Sequence, residues 1–153
     1  MHYLIILVFV FIISINNSFS QSSEIVSNLK PGYYSGEWIM YKSNAFTDIM
    51  YRYSDCSNTE DNFFHEFILL KVVNKTDEKI QVTWKYSTRY DNKRVKYAYE
   101  ENRVNVFLNA KESKEGSCDR MDKTKLKVFV RNKNHKTKIT DYKIIGFREV
   151  RIN

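Results

Sequence analysis

The chain predicts an all-β domain built as an antiparallel β-sandwich of about seven or eight strands. Two observations carry that expectation. Apolar residues recur with a period of two, and polar turn segments interrupt them about every ten residues. Composition agrees: 11 Tyr and 10 Phe, with many Val and Ile, suit pleated strands, while one Pro and four Gly exclude a collagen-like chain. A small closed β-barrel is the alternative architecture.

The clearest strand alternates Ile80, Val82, Trp84 and Tyr86 with Gln81, Thr83, Lys85 and Ser87, giving one dry and one wet face. Ahead of it, Phe63 to Val73 is apolar on both faces, as a central strand requires. The polar segment between them, Asn74 to Lys79, is short enough to close a hairpin. Further alternating runs cover 37–42, 46–53, 94–99, 103–108, 125–131 and 138–152. The last changes phase at Ile144-Ile145-Gly146, where a β-bulge would absorb the slip. Helical spacing and internal repeats are absent from the pattern, and no low-complexity tract interrupts it.

The amino terminus reads as an export signal with a helical apolar core. Tyr3 to Ile13 is uninterrupted by charge, yet shorter than the roughly 18–20 residues of a membrane-spanning helix. Ser18 and Ser20 supply small residues for cleavage before Gln21, although Met1-His2-Tyr3 lacks the usual basic charge. The expected organisation is a signal peptide over 1–20, a tether or edge strand over 21–36, and one sandwich domain over 37–153. No later stretch reaches membrane-spanning length, so a secreted or periplasmic, non-transmembrane mature form is expected. In that setting the only two cysteines, Cys56 and Cys118, suggest a disulfide, with a pair of free thiols as the competing reading.

An antibody-type domain would place a Trp soon after the first Cys and a Tyr two residues before the second. Here Trp84 lies far downstream of Cys56, and position 116 is Gly. Any immunoglobulin likeness is therefore one of shape. The order of features is nonetheless familiar. A Tyr51-Arg-Tyr-Ser-Asp-Cys56 run is followed by Leu70-Lys-Val-Val-Asn-Lys-Thr76, then Val82-Thr-Trp84, then Val106 to Cys118 and a basic final pair of strands. From Tyr51 onward the chain resembles small, uncharacterised secreted bacterial proteins with an immunoglobulin-like β-sandwich. That resemblance implies the fold and the disulfide, and it implies no activity.

Catalytic and metal motifs fail on inspection. His65-Glu66 begins like H-E-x-x-H, but Leu69 stands where the second His is needed, and adjacent strand residues face opposite sides. The loop holding Asp55, Asn58, Glu60, Asp61 and Asn62 offers oxygens to a cation without the Gly or spacing of an EF-hand. No G-x-S-x-G and no phosphate-cradling glycine loop occurs. A disulfide would also consume the thiol of any Cys56–His65 pair. The chain thus reads as a non-enzyme with no cofactor and no metal site.

Charge is more informative. The chain carries 25 basic and 18 acidic residues, a net +7. Through Cys118 the two signs balance at 14 each, and the 11 basic and four acidic residues that follow supply the whole excess. The expected binding surface is a basic carboxy-terminal hairpin carrying Lys123, Lys125, Lys127, Arg131, Lys133, Lys136 and Lys138. Lys125, Lys127 and Arg131 would share one strand face around Phe129. Its expected partner is an anionic envelope component or a protein. A rival reading makes these lysines a guard against edge-to-edge pairing. Nucleic acid is not expected, because export removes the chain from it and no recognition motif occurs. Tyr33, Tyr34, Trp38, Tyr41, Tyr51 and Tyr53 offer a carbohydrate-binding alternative through aromatic platforms, with core packing as their rival role. A small secreted hydrolase near His65 is the remaining alternative.

Overall fold

β-Branched and aromatic residues at alternate positions favour extended backbone, and the described residues follow that preference. The computed structural model describes residues 36–98 and 100–152, which form nine strands and no helix. The expected leader over 1–20, the tether as far as 35, and Tyr33 and Tyr34 lie outside the described residues. No helix among those described is long and apolar enough to cross a membrane.

The strands are β1 (Ile39–Ser43), β2 (Thr47–Asp55), β3 (His65–Asn74), β4 (Ile80–Tyr90), β5 (Lys93–Arg94), β6 (Arg103–Leu108), β7 (Ser113–Glu115), β8 (Lys127–Asn132) and β9 (Ile139–Arg151). The first sheet runs β1-β2-β3, with β7 and β8 sharing the far side of β3 at its two ends. In the second sheet β4 is central, with β9 on one side and β5 and β6 on the other. Every pairing is antiparallel, and neither sheet closes on itself. This is the expected β-sandwich, without barrel closure. The run expected over 94–99 contracts to the two residues of β5.

Alternation sets the core. Tyr51 and Tyr53 of β2, Ile68, Leu70 and Val72 of β3, and Val128 and Val130 of β8 face inward from the first sheet. They meet Ile80, Val82 and Trp84 of β4, Val104, Val106 and Leu108 of β6, and Ile139 and Tyr142 of β9. Each fully buried aliphatic residue contributes roughly 1.5–3 kcal/mol. The β-bulge falls where the phase change places it. Thr83 pairs with Arg148 and Lys85 with Ile145, so β9 carries one extra residue there, and Gly146 takes φ +62°. The insertion keeps both Ile144 and Phe147 against the core, with Phe147 stacked on Trp84.

Two connections differ from expectation. Asn74–Lys79 does not close a hairpin, because β3 and β4 belong to different sheets. Buried Asn74 shapes the crossing instead. Its Oδ1 accepts from the Thr76 amide and hydroxyl, and its Nδ2 donates to the carbonyls of Glu78 and Asn109 at 2.7 Å each. The last two strands likewise part company: after a single bridge between Arg131 and Lys138, β8 joins the first sheet and β9 the second. An inward-facing stripe on each strand is satisfied as well by packing across the sandwich as by pairing side by side.

At the centre of β3, Gly116 and Leu126 converge on Leu70: the Gly116 amide donates to the Leu70 carbonyl and the Leu70 amide to the Leu126 carbonyl. A Cβ on Gly116 would overlap the Leu126 backbone, so this close approach requires glycine.

Candidate functional site

The sandwich presents two outer faces, and they are built differently. On the first sheet, Phe67, Leu69 and Cys56 form a second apolar cluster with Trp38, Phe63 and Phe129 packed against it. Cys56 and Cys118 are joined as a disulfide across 62 positions, tying the loop after β2 to the loop before β8. Cations lie over the rings: Arg120 over Phe63 at 4.5 Å, Lys127 over Phe67 at 5.3 Å, and Arg52 over Trp38 at 4.5 Å. His65 sits among Phe63, Phe67 and Phe129, with Asn132 at 3.2 Å from its Nε2. Burial, with Arg120 and His135 nearby, holds its pKa below the usual value. Glu66 points the other way, into the protein, where it is fully buried and accepts from the Tyr53 hydroxyl and the Arg131 guanidinium. His65 and Glu66 therefore do not converge on a common ligand.

The first sheet absorbs much of the expected cationic surface on its two sides. Arg131 is bound to Glu66, and Lys133 to Asp55. Burial raises the Asp55 pKa, but Lys133 and Ser57 outweigh it and hold the carboxyl below its usual range. Lys125 lies outside any strand and donates to the carbonyls of Glu101 and Arg103, while a bulge in β8 pairs Lys127 with Leu69 on the outer face and Arg131 with Glu66 on the inner one, so the three share no strand face. Lys127 donates to the Asp119 carbonyl. Lys123, Lys136 and Lys138 remain exposed in connections, and no side-chain ion pair reaches them among the described residues. The acidic loop turns inward on itself: Asp61 accepts from Asn58 and lies 3.4 Å from Arg120, while Asn58 caps the Glu60 amide. Among the described residues no group of three His, Cys, Asp or Glu is placed to hold a metal.

The outer face of the second sheet is open. Residues paired directly across strands share a face, so the register reads its surface row by row. Arg94 pairs with Arg89, and Arg89 in turn with Asp141; Ser87 pairs with Lys143; Lys85 lies between Arg103 and Ile145; Thr83 lies between Asn105 and Arg148. Lys96, two residues beyond Arg94, reaches the row of Ser87 as the Val95 amide bonds the Thr88 carbonyl. Seven cations thus meet three carboxylates: Glu100, bound to Lys85 and Arg103; Asp141, at 4.0 Å from Arg89 and 3.9 Å from Lys143; and Glu101, which accepts from the Ala98 amide and faces Tyr86 and Tyr97. Lysine and arginine hold the Glu100 carboxyl below its usual pKa by hydrogen bonding. Arg94, Lys96 and Arg148 have no ion-pair partner among the described residues.

A shallow groove of about 520 Å³ crosses this face where β5 stops and β6 has not begun. Tyr86, Ser87, Arg94, Lys96, Tyr97 and Asn102 line it, with Ile145 and Val95. Asn102 closes its floor by donating to the Tyr86 carbonyl at 2.7 Å, and the Tyr97 hydroxyl meets Thr88. Burial raises the pKa of both tyrosines, which stay neutral donors at physiological pH. Lys138 stands at the end of this sheet, where the Asp91 amide of the β4–β5 turn bonds its carbonyl and the Asp91 carboxylate accepts from its amide.

Five of these cations, Lys85, Arg89, Arg94, Lys96 and Arg103, belong to the part of the chain whose charge balances. A count along the sequence hides them. The wet positions of β4 and the Lys93-Arg94-Val95-Lys96 run were the available signal. Comparison with family models, with curated proteins and with solved structures finds no match to the chain.

Proposed function

We propose that the protein is an exported, non-enzymatic binding module that engages an anionic partner through the outer face of its four-stranded sheet. The observation that carries this reading is the concentration of seven cations against three carboxylates on one open face. Such a surface attracts anions over distances comparable to the Debye length and binds them in a salt-dependent way. The reading keeps Lys138 from the expected carboxy-terminal surface and replaces Lys123, Lys125, Lys127, Arg131, Lys133 and Lys136 with Arg94, Lys96, Lys143 and Arg148. Export through the leader over 1–20 is part of the same proposal, and a bridged cysteine pair suits the oxidising destination.

Retention on immobilised heparin tests the proposal. The protein should bind and elute earlier as salt rises. Arg94→Glu with Lys96→Glu should lower the eluting salt sharply, whereas Lys125→Glu with Lys127→Glu should change it little. Equal losses from both pairs would reject the assignment of the face. A carbohydrate-binding alternative has one observation in its favour, the Tyr86 and Tyr97 rings beside Asn102 and Ser87 in the groove. Binding to uncharged glycans on an array would favour it.

A further inference from the structure

We infer that the anionic partner of this face is the surface of a lipid bilayer, with Ile145 as the side chain that enters it. The inference rests on the anion-binding reading above and adds the apolar residues that a soluble polyanion leaves unexplained. Ile145, Val150 and Phe107 are 48%, 55% and 53% exposed. All three point outward from the same sheet: Ile145 pairs with Lys85, and Phe107 and Val150 both pair with Gln81. They account for three of the large exposed apolar side chains among the described residues.

Ile145 is set among charges. Lys143 precedes it by two residues, Arg148 follows across the bulge, and Lys85 and Arg103 continue its row. The bulge at Gly146 is what permits this pattern. Without the extra residue the strand would turn Arg148 inward and Phe147 outward. With it, Phe147 reaches Trp84 while Ile145 and Arg148 both face out.

The shape agrees. From Gln81 to Arg89 the face runs about 27 Å, and three strands make it about 10 Å wide, given the usual rise and strand spacing. It is a broad surface with a shallow groove, suited to many headgroups at once. Cations gain from an anionic membrane surface within a Debye length, and apolar side chains between them gain by entering the headgroup–acyl boundary. Neither gain requires a closed pocket.

The protein from Gln21 onward should co-sediment with phosphatidylcholine vesicles containing about one quarter phosphatidylglycerol and not with phosphatidylcholine alone. Arg94→Glu with Lys96→Glu should reduce partitioning at least about tenfold, since each basic residue near such a surface is worth about fivefold. Ile145→Ser should reduce vesicle partitioning about fivefold, and Val150→Ser, at an exposed position outside the groove, should weaken partitioning while leaving heparin elution unchanged, with unaltered melting temperatures showing that the fold is intact. Heparin retention without binding to the anionic vesicles would overturn the lipid inference and leave the anion-binding reading standing. Failure on both would remove both. Equal binding to uncharged vesicles, undiminished vesicle partitioning of Ile145→Ser, or a Val150→Ser variant that loses heparin and vesicles alike, would overturn insertion at this face.

Discussion

The two outer faces of the sandwich use the same residue types to opposite ends. On the five-stranded sheet, cations lie over aromatic rings or on buried acids, and a disulfide ties down the loops beside them. On the four-stranded sheet, cations and large apolar side chains stand in solvent with few partners. The first face is a second small core. A cation there is part of the fold, and its removal should be felt as lost stability. A cation on the second face contributes little to folding, and its removal should be felt only in binding. Charge composition cannot separate the two roles, whereas the neighbours of each ammonium or guanidinium do.

The largest effect that would test this contrast is at Arg131. Removing it strands the fully buried Glu66 carboxylate, so Arg131→Ala should cost about 3–5 kcal/mol in urea unfolding. A cost below about 1 kcal/mol would place Arg131 with the open-face cations instead. Next, replacing Cys56 and Cys118 by Ala should cost about 2–4 kcal/mol, because the bridge closes a long loop in the unfolded chain. Heparin elution of that variant, measured where it is folded, should be unchanged.

A smaller effect concerns pH. His65 has its pKa lowered in the folded protein by burial, then by Arg120 and His135. The unfolded chain therefore binds the proton more readily, and stability should fall as pH drops through about 6.5. His65→Gln should flatten that slope in urea midpoints measured between neutral and mildly acidic pH. The smallest expected change is on the open face: Arg94→Ala with Lys96→Ala should leave stability within about 0.5 kcal/mol of the parent while weakening heparin retention.

Much of the architecture was legible because it rests on local alternation. β6 falls on 103–108 as read, the dry face of β4 is buried, and Gly146 holds the bulge that the broken phase between Ile144 and Gly146 requires. Tyr51 and Tyr53, candidates for an aromatic platform, share the core face instead. What escaped was the choice of partner. Asn74–Lys79 has the polarity of a hairpin turn, yet buried Asn74 organises a crossing between sheets, and polarity alone does not distinguish the two. The candidate site escaped for a related reason. Lys85, Arg94 and Arg103 are separated along the chain by oppositely charged residues, and only strand pairing brings them onto one surface. Conversely, Arg131 and Lys133 look available in the sequence because Glu66 and Asp55, their partners, lie about 65 and 78 residues away.

The most direct test of the central claim is to map the anion on the protein by amide chemical-shift perturbation. A heparin-derived hexasaccharide titrated into the labelled protein should move resonances of Ser87, Arg94, Lys96, Lys143 and Arg148. Those of Phe67, Lys127 and Phe129 should stay still. Perturbations centred on β8 and the loop before it, with 94–96 and 143–148 unmoved, would contradict the assignment of the open face.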